Sequence, residues 1–294
     1  MIPDGWEIRK IEECGKVQSG RQRAPQFTKG EIRPYLRVAN VFDGFIDTSD
    51  VREMPFTDSE YKIYLLKEED ILLNEGQTIE LVGRAAIYNG QPIDCCFQNT
   101  LIRFRAYENT NFKFAFSLFQ YLFYTGQFSS IAARTTSIAH LGVSRFANYK
   151  AYFPPLLEQC KIAEILGAWD ESIDLLERLI GKTRSRKQGL MQQLLTGKKR
   201  FKEFEGSEWK KVSIGEIAFV DKRSLNNNTP KDYTFFYVSL SNIDNGHISN
   251  NLKELCFEQA PSRARRLVSN NDILMATVRP NLKSFAIVKT NADK

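Results

Sequence analysis

The feature that most constrains the fold is a repeat within the chain. Tyr35–Gly44 (YLRVANVFDG) recurs as Tyr237–Gly246 (YVSLSNIDNG), and positions 35 and 237 differ by 202. The triplet Asp70–Leu72 recurs at the same offset as Asp272–Leu274. Similar sequence at a fixed spacing indicates one structural unit used more than once. We therefore expect the same domain to occur twice in this chain.

The two copies are unequal in length. At an offset of 202, Lys294 corresponds to position 92 of the first copy, whereas the first copy continues to about Phe153. We expect a first domain over 1–153, a spacer over 154–198, and an incomplete second domain over 199–294.

Each copy mixes strand and helix patterns. Short β-branched and apolar runs bounded by turn-forming residues predict strands over Tyr35–Val41, Asp70–Leu73, Arg84–Tyr88 and Thr100–Phe104. The apolar stretch Phe112–Phe128 is too long for a strand and predicts a helix packed on the sheet. The expected fold class is α/β in the mixed α+β sense, with twisted mixed sheets in both domains.

A long helix is predicted between the copies. Pro154-Pro155 is followed by about 40 residues without proline, and proline is tolerated at a helix start. Such a helix would extend about 60 Å. Ten positions at alternating spacings of four and three form a coiled-coil seam, which Thr183 and Lys187 interrupt; they are Ile162, Leu166, Trp169, Ile173, Leu176, Ile180, Thr183, Lys187, Leu190 and Leu194. The alternative is a linker helix packed on its neighbours.

The composition argues against several kinds of function. Two histidines and five cysteines without a CxxC pair argue against a histidine-rich metal site and against a disulfide framework, and favour a reduced cytoplasmic chain. No apolar run is long enough for a membrane span. Gly181-Lys182-Thr183 lacks the upstream glycine of a phosphate-binding loop, and no methyltransferase motif is present. The net charge of +6 and pI near 9.0 suit a polyanionic partner.

These features together resemble the specificity subunits of Type I restriction-modification systems, across essentially all 294 residues. The residues that carry the resemblance occur in the family's order. They are Gly5-Trp6, Gln18–Arg23, Tyr35–Val41, Asp70–Asn74, Gly83–Ile87, Phe97–Thr100, His140-Leu141, Pro154–Gln159 and Leu194–Arg200. Family members typically continue with the rest of a second domain and a second long helix antiparallel to the first, and neither is in this sequence.

The resemblance implies a prokaryotic, cytoplasmic, non-catalytic protein. Each recognition domain would read one half of a split site in double-stranded DNA. The helix would fix the spacing and dock methyltransferase subunits, which a restriction and translocase subunit would join. No cofactor is expected in this chain, whereas S-adenosylmethionine, Mg and ATP are expected on the partner subunits.

Three loops carry side chains suited to DNA. Arg matches guanine, Asn and Gln match adenine, and small polar or cationic groups hold phosphates. For any one residue the alternative is an ordinary solvated loop. The candidates are Arg21, Gln22, Arg23 and Lys29 in one loop, Arg134, Thr135, Thr136, Ser137, His140, Ser144 and Arg145 in another, and Lys222, Arg223, Asn226 and Asn227 in the second copy.

Other interpretations remain open at this point. Asn40 and Asn242 occupy equivalent positions and fit a turn better than a DNA contact. Trp169 could anchor a methyltransferase subunit or belong to a coiled-coil core. The alternatives to a DNA-reading subunit of a larger complex are a half-subunit that self-associates through its helix to read a symmetric site, and a DNA-modifying enzyme whose motifs are not recognised.

Overall fold

The computed structural model describes residues 3–24, 26, 28–134, 138–220, 223–244, 246–278 and 284–289. The chain divides into two compact units, Met1–Gln192 and Gln193–Lys294. The strands of the first unit are β1 (Glu7–Lys10), β2 (Gly15–Ser19), β3 (Glu31–Leu36), β4 (Arg52–Phe56), β5 (Ile71–Asn74), β6 (Gly76–Gln77), β7 (Ala85–Ile87), β8 (Cys96–Phe97), β9 (Leu101–Ala106), β10 (Ala133–Arg134), β11 (Ala139–His140) and β12 (Lys150–Phe153).

The helices of the first unit are α1 (Ile11–Cys14), α2 (Asp58–Tyr64), α3 (Phe112–Tyr124), α4 (Gln127–Ile131), α5 (Val143–Asn148) and α6 (Leu156–Leu194). The main sheet has the strand order β2-β9-β5-β7, and its neighbours are antiparallel. A second sheet, β4-β3-β8, contains one parallel pair. The predicted mixed α/β fold class with one long helix is confirmed.

The core of the first unit is aromatic. Phe119 of α3 meets Phe104 of the central strand β9 at a ring separation of 5.0 Å, and it meets Phe146 of α5 at 5.2 Å. Phe128 of α4 lies 5.6 Å from Phe146, and all four rings are completely buried. Edge-on ring packing of this kind adds to the burial of apolar area, so these helices are held firmly on one face of the sheet.

The predicted single helix over Phe112–Phe128 is wrong in one respect, because the structure forms α3 and α4 separately. Asn111 begins α3 by accepting a hydrogen bond from the Phe114 amide at 3.0 Å. Gly126 then adopts a φ of +74°, which a helix interior does not allow. The left-handed glycine ends the first helix and redirects the chain into the second.

The predicted strand Tyr35–Val41 is also shorter than expected. β3 ends at Leu36, and Val38–Asn40 forms a 3₁₀ turn. The side-chain oxygen of Asn40 accepts from the Arg37 amide at 3.1 Å, and its amide group donates to the Asp47 and Asp50 carbonyls. Such side-chain bonds to the backbone compete with a strand ladder, so the turn interpretation of Asn40 agrees with the structure.

The long predicted helix is present as α6. Gln159 fixes its base, because its amide group donates to the Pro154 carbonyl at 2.9 Å and its oxygen accepts from the Asn111 amide at 2.9 Å. Gln159 and Ala163 are the buried residues of the helix, and every residue of α6 beyond Ala163 is exposed or half-buried.

The second unit contains α7 (Ile214–Ile217), β13 (Thr234–Tyr237), β14 (Ile243–Asp244), β15 (His247–Ile248), β16 (Lys253–Cys256), β17 (Ile273–Met275) and β18 (Phe285–Ile287). A 3₁₀ turn over Leu240–Asn242 matches that of the first copy, and the Ser239 amide donates to Asn242 at 2.9 Å. The repeated sequence therefore forms repeated local structure.

Candidate nucleic-acid interface

Two of the predicted DNA-binding regions meet at one end of the main sheet. β2 and β5 both run antiparallel to β9, so their carboxyl ends lie at the start of that strand. The Gly20 amide donates to the Leu101 carbonyl at 3.3 Å, and the Glu75 amide donates to Thr100 at 2.9 Å. The chain segments that leave β2 and β5 therefore lie beside the same residues.

Further backbone hydrogen bonds connect the predicted loops to this end of the sheet. The Asn99 amide donates to the Arg21 carbonyl at 3.0 Å, and the Leu141 amide donates to Glu75 at 2.8 Å. β11 pairs with both β6 and β10, which places His140 opposite Gly76 and Ala133. We call the exposed and half-buried polar residues in this region the sheet-end surface; they are Gln22, Arg23, Gln77, Asn99, Arg134 and His140.

Arg21, which the sequence named as a candidate DNA-binding residue, is buried in the structure. Only 4% of Arg21 is exposed, its Nε donates to Glu60 Oε1 at 2.7 Å, and its guanidinium lies 5.1 Å from the centre of the Phe56 ring. Arg21 ties the loop to α2, which leaves the next residues to face solvent.

The same ion pair makes the loop sensitive to acid. Burial alone would raise the pKa of Glu60, but hydrogen bonds from Arg21 and Thr57 lower it overall. The contribution of this pair to stability is therefore present at neutral pH and is lost as the pH falls through the lowered pKa.

A groove of about 570 Å³ opens beside this loop. Arg23 lines this groove, and Gln22 and Lys29, the other candidates of the same loop, are also exposed. Glu53 is also exposed and adds a carboxylate among the cationic groups. The groove is lined by Arg21, Arg23, Ala24, Ile32, Glu53, Met54 and Pro55.

The second predicted region is partly occupied by internal contacts. His140 Nδ1 lies 3.1 Å from Glu75 Oε2. Arg145 is exposed, yet its guanidinium donates to the His140 and Leu141 carbonyls at 2.7 and 3.0 Å, so it shapes the turn instead of reaching outward. Arg134 and Ser144 are exposed, whereas Thr135, Thr136 and Ser137 lie outside the described residues.

The second copy offers fewer available groups than expected. Arg223 donates to Ser269 Oγ and to Asp272 Oδ2. Asn226 accepts from the Asn228 amide at 2.9 Å, which closes a turn. Asn227 is exposed, and Lys222 lies outside the described residues.

Asn99 and Gln77 are the polar side chains that the sequence analysis missed. Asn99 is exposed between the two loops, and Gln77 is half-buried on β6 beside Ala139. Asn99 belongs to the block Phe97–Thr100, which was recognised as part of the resemblance but not as a site. The sequence did contain a signal for this site, because two consecutive residues with amide side chains, Gln98 and Asn99, lie directly before a buried strand.

The seam of α6 forms a second exposed surface. Trp169 is 67% exposed, and Ile173, Leu176, Ile180 and Leu190 are also exposed. Leu166 is exposed, and Ile162 and Leu194 are half-buried. Ile162 and Leu166 line an apolar groove of about 570 Å³ between the helix base and the domain.

Within the described residues, no group of three or more His, Cys, Asp or Glu side chains is arranged to hold a metal ion. None of the helices among the described residues combines the length and the apolar character needed to cross a membrane.

Comparison with known proteins gives consistent matches. The Type I restriction modification DNA specificity domain matches residues 3–182. Two proteins of Methanocaldococcus jannaschii, the putative type I restriction enzyme MjaX specificity subunit and the type I restriction enzyme MjaVIII specificity subunit, are 27% and 28% identical. Each alignment covers 74% of this chain and 50% or 47% of the relative, so the chain spans about half the length of these relatives.

Two solved structures also align. A chain from a type I R-M system complex gives a TM-score of 0.49 at 18% identity, covering 65% of this chain and 45% of that one. The S subunit from M. genitalium gives 0.47 at 17% identity, covering 86% and 68%. The match to the Type I restriction modification DNA specificity domain covers more than half of the residues of this chain. The chain therefore belongs to the family of Type I restriction-modification DNA specificity proteins.

Proposed function

We propose that this chain is a DNA-reading subunit of a Type I restriction-modification complex and that the sheet-end surface is where its first domain contacts DNA. The observation that carries the proposal is the convergence of polar side chains from three separate segments, around Arg23, Asn99 and His140, at one end of one sheet. A domain that recognises a DNA sequence needs several polar groups held at fixed separations.

The chemistry of this surface suits direct recognition of bases. Arg23 offers paired donors for guanine, and Gln22, Gln77 and Asn99 offer the donor and acceptor pair that matches adenine. Lys29 and Arg134 suit phosphate oxygens, which position the protein without reading sequence. Ser144 lines a different groove, together with Lys16 near the start of β2. Arg21 and Arg145 act as positioning residues, because their guanidinium groups are engaged inside the protein.

The second copy supports a proposal for the other half-site. Residues 1–153 would read one half, residues 199–294 would supply part of a second reader through Arg223, Asn226 and Asn227, and the spacer 154–198 would set their separation. The length of α6, about 60 Å, is suited to such spacing. Double-stranded DNA with a split target is the proposed substrate class.

The proposed partners are methyltransferase subunits and a restriction and translocase subunit in the prokaryotic cytoplasm. S-adenosylmethionine, Mg and ATP would bind to those partners, and this chain would hold none of them. The exposed indole of Trp169 is suited to anchoring a protein partner, since aromatic side chains contribute strongly to interfaces.

The test is the salt dependence of binding to duplex DNA. Arg23→Ala should weaken binding and reduce the slope of log K against log salt concentration, because removing a cation from the interface lowers the number of counterions that binding releases. The matched control is Lys16→Ala, which removes an exposed cation from the opposite end of β2. Equal slopes for the wild type and Arg23→Ala would show that the sheet-end surface is not part of the DNA interface. An equal loss of affinity with Lys16→Ala would show the same.

A second measurement separates base reading from general affinity. The target sequence can be identified by mapping methylated positions in the genome of the host. Asn99→Ala should then weaken binding to the target by about 1 to 3 kcal/mol and leave binding to unrelated DNA unchanged. An equal loss on both kinds of DNA would assign Asn99 to phosphate contact instead.

A further inference from the structure

A carboxylate and an imidazole are paired at the sheet-end surface. Nδ1 of His140 lies 3.1 Å from Oε2 of Glu75. The Glu75 side chain is 19% exposed and the His140 side chain is 44% exposed. The carboxylate is therefore largely shielded by the protein, whereas the imidazole still reaches solvent.

The backbone under both side chains is fixed by hydrogen bonds. The Glu75 amide donates to the Thr100 carbonyl at 2.9 Å, and the Glu75 carbonyl accepts from the Leu141 amide at 2.8 Å. β11 pairs with β6, which sets His140 directly opposite Gly76. The carboxylate and the imidazole therefore extend from two points of the backbone that are held at a fixed separation.

Gly76 leaves the space that the imidazole ring needs. A Cβ atom at this position would lie 3.2 Å from both Nδ1 and Cε1 of His140, which is closer than an ordinary van der Waals contact. The ring edge that carries Nδ1 and Cε1 therefore packs against β6, next to the residue whose carboxylate meets Nδ1. The packing of the ring and its hydrogen bond specify the same orientation of the imidazole.

The carboxylate decides which nitrogen of the ring carries the proton. An ionised carboxylate accepts hydrogen bonds and donates none, so Nδ1 of His140 is the donor in this pair. In a neutral imidazole the second nitrogen, Nε2, then has a free lone pair and acts as an acceptor. Among the described residues, which leave out 135–137, Nε2 of His140 has no hydrogen-bond partner. The half-buried ring therefore carries an acceptor that is available to a ligand.

This acceptor differs from the other polar groups of the sheet-end surface. Arg23 and Arg134 carry donors only, and the side-chain amides of the remaining members carry a donor and an acceptor together. In the major groove, adenine and cytosine present exocyclic amino donors, whereas guanine and thymine present carbonyl acceptors. A nitrogen that can only accept is attracted to the amino groups and is left unpaired beside the carbonyls. Nε2 of His140 can therefore distinguish adenine or cytosine from guanine or thymine.

The pair is not needed to join the two strands on which it lies. The backbone ladder already connects β6 with β11, through Gly76 opposite His140 and Gln77 opposite Ala139. A partly exposed carboxylate and imidazole add little to stability, because solvent screens their attraction. The effect of Glu75 on the outer nitrogen of the ring is therefore a better explanation of the pair than its contribution to stability.

We propose that Glu75 fixes the His140 tautomer that carries its proton on Nδ1, and that Nε2 then accepts a hydrogen bond from the exocyclic amino group of an adenine or a cytosine in the DNA target. His140 makes the contact with the base. Glu75 is a positioning residue, because it acts on the DNA only through the imidazole. The inference rests on the proposed function, since it requires that the sheet-end surface meets the major groove.

The first test measures the tautomer directly, without DNA. In protein labelled with nitrogen-15 histidine, long-range proton–nitrogen NMR spectra in slightly alkaline buffer distinguish a protonated Nδ1 from a protonated Nε2, and His247→Gln assigns the two histidines. We expect the proton on Nδ1 of His140 in the wild type. Glu75→Gln should move it toward Nε2, because an amide group can donate to Nδ1. The matched control is Glu80→Gln, which removes an exposed carboxylate from the same stretch of chain and should leave the tautomer unchanged. A proton on Nε2 in the wild type would overturn the proposal.

The second test identifies the base that the acceptor contacts. In the target duplex, each adenine is replaced in turn by purine and each cytosine by 2-pyrimidinone, which lack the exocyclic amino group. At one position the analogue should weaken binding of the wild type by about tenfold, the effect of one hydrogen bond. The loss at that position should be several-fold smaller in Glu75→Gln and absent in His140→Phe, whose ring accepts no hydrogen bond. Glu80→Gln should behave as the wild type does.

The two variants also separate this inference from the proposed function. Losses that are equal for the wild type, Glu75→Gln and His140→Phe at every adenine and cytosine would overturn the inference. The salt slope of Arg23→Ala does not depend on the tautomer of His140, so it still reports whether the sheet-end surface binds DNA. Amide NMR spectra check that each variant keeps the fold of the wild type.

Discussion

Leu73 and Met275 occupy the same place in the two copies, yet Leu73 is completely buried and Met275 is 72% exposed. The local backbone around them is closely similar. Leu73 pairs with Ala85 across the β5–β7 ladder, and Met275 pairs with Phe285 across β17–β18. The residue before each strand's aspartate has a positive φ, +73° at Glu69 and +68° at Asn271.

The difference between the copies lies in what covers the strand pair. In the first copy β9 adds a strand beside β5, and Phe119 of α3 packs on Phe104 of that strand. Among the described residues of the second copy, β17 and β18 form a two-stranded sheet with no third strand beside β17. Short-range hydrogen bonds therefore specify the hairpin geometry in both copies, whereas burial depends on segments that come later in the chain.

The largest expected contrast is between Leu73→Ala and Met275→Ala. Removing a buried leucine side chain leaves a cavity and should lower the free energy of unfolding by about 2 to 5 kcal/mol. The same truncation at exposed Met275 should change it by less than about 0.5 kcal/mol. Denaturant unfolding together with hydrogen exchange over β5 and β17 measures both. Equal losses would show that the second hairpin is covered in solution.

A smaller contrast concerns the aspartates that precede the two strands. Asp70 is buried and accepts two hydrogen bonds from Arg105, both at 2.6 Å, whereas Asp272 is partly exposed and lies 3.4 Å from Arg223. Asp70→Asn should cost about 2 kcal/mol of stability, because it weakens a shielded ion pair. Asp272→Asn should cost about 0.5 kcal/mol, which is typical of an exposed pair. Thermal unfolding of both variants, compared with wild type, decides whether burial sets this difference.

The smallest contrast should be close to zero. Gly44 and Gly246 have φ values of +80° and +92°, and their amides donate to the Ala85 and Phe285 carbonyls at 3.0 and 2.9 Å. Gly44→Ala and Gly246→Ala should each cost about 1 kcal/mol, because alanine is strained at positive φ wherever it sits. Local hydrogen exchange at the two hairpins is the measurement. A large loss of stability at only one of the two glycines would show that side-chain packing stabilises the turn in that copy.

The sequence predicted those parts of the fold that depend on local or periodic patterns. The repeat, the mixed fold class and α6 follow from spacing alone, and the resemblance placed the chain in its family. The break at Gly126 was missed because the apolar pattern of Phe112–Phe128 continues through it. Only the conformation of that glycine separates the two helices.

The candidate site was harder to predict, because contacts distant in sequence decide which groups remain available. Arg21 and Arg23 are alike in the sequence, but Glu60, 39 residues away from Arg21, draws only Arg21 into the protein. Asn99 could be recognised as a candidate site residue only from the backbone hydrogen bonds that place it between the two loops. Neither fact follows from composition or periodicity.

The fixed base of α6 has a mechanical consequence. The helix is held at its base, where Gln159 and Ala163 are buried, and its later residues are exposed or half-buried, so an angular error at the base grows with distance along the helix. For a rod of about 60 Å, a tilt of about 5° displaces the tip by about 5 Å, which exceeds the length of a hydrogen bond. The contacts of Gln159, Ile162 and Ala163 with the first unit therefore limit how precisely anything carried at the tip can be positioned.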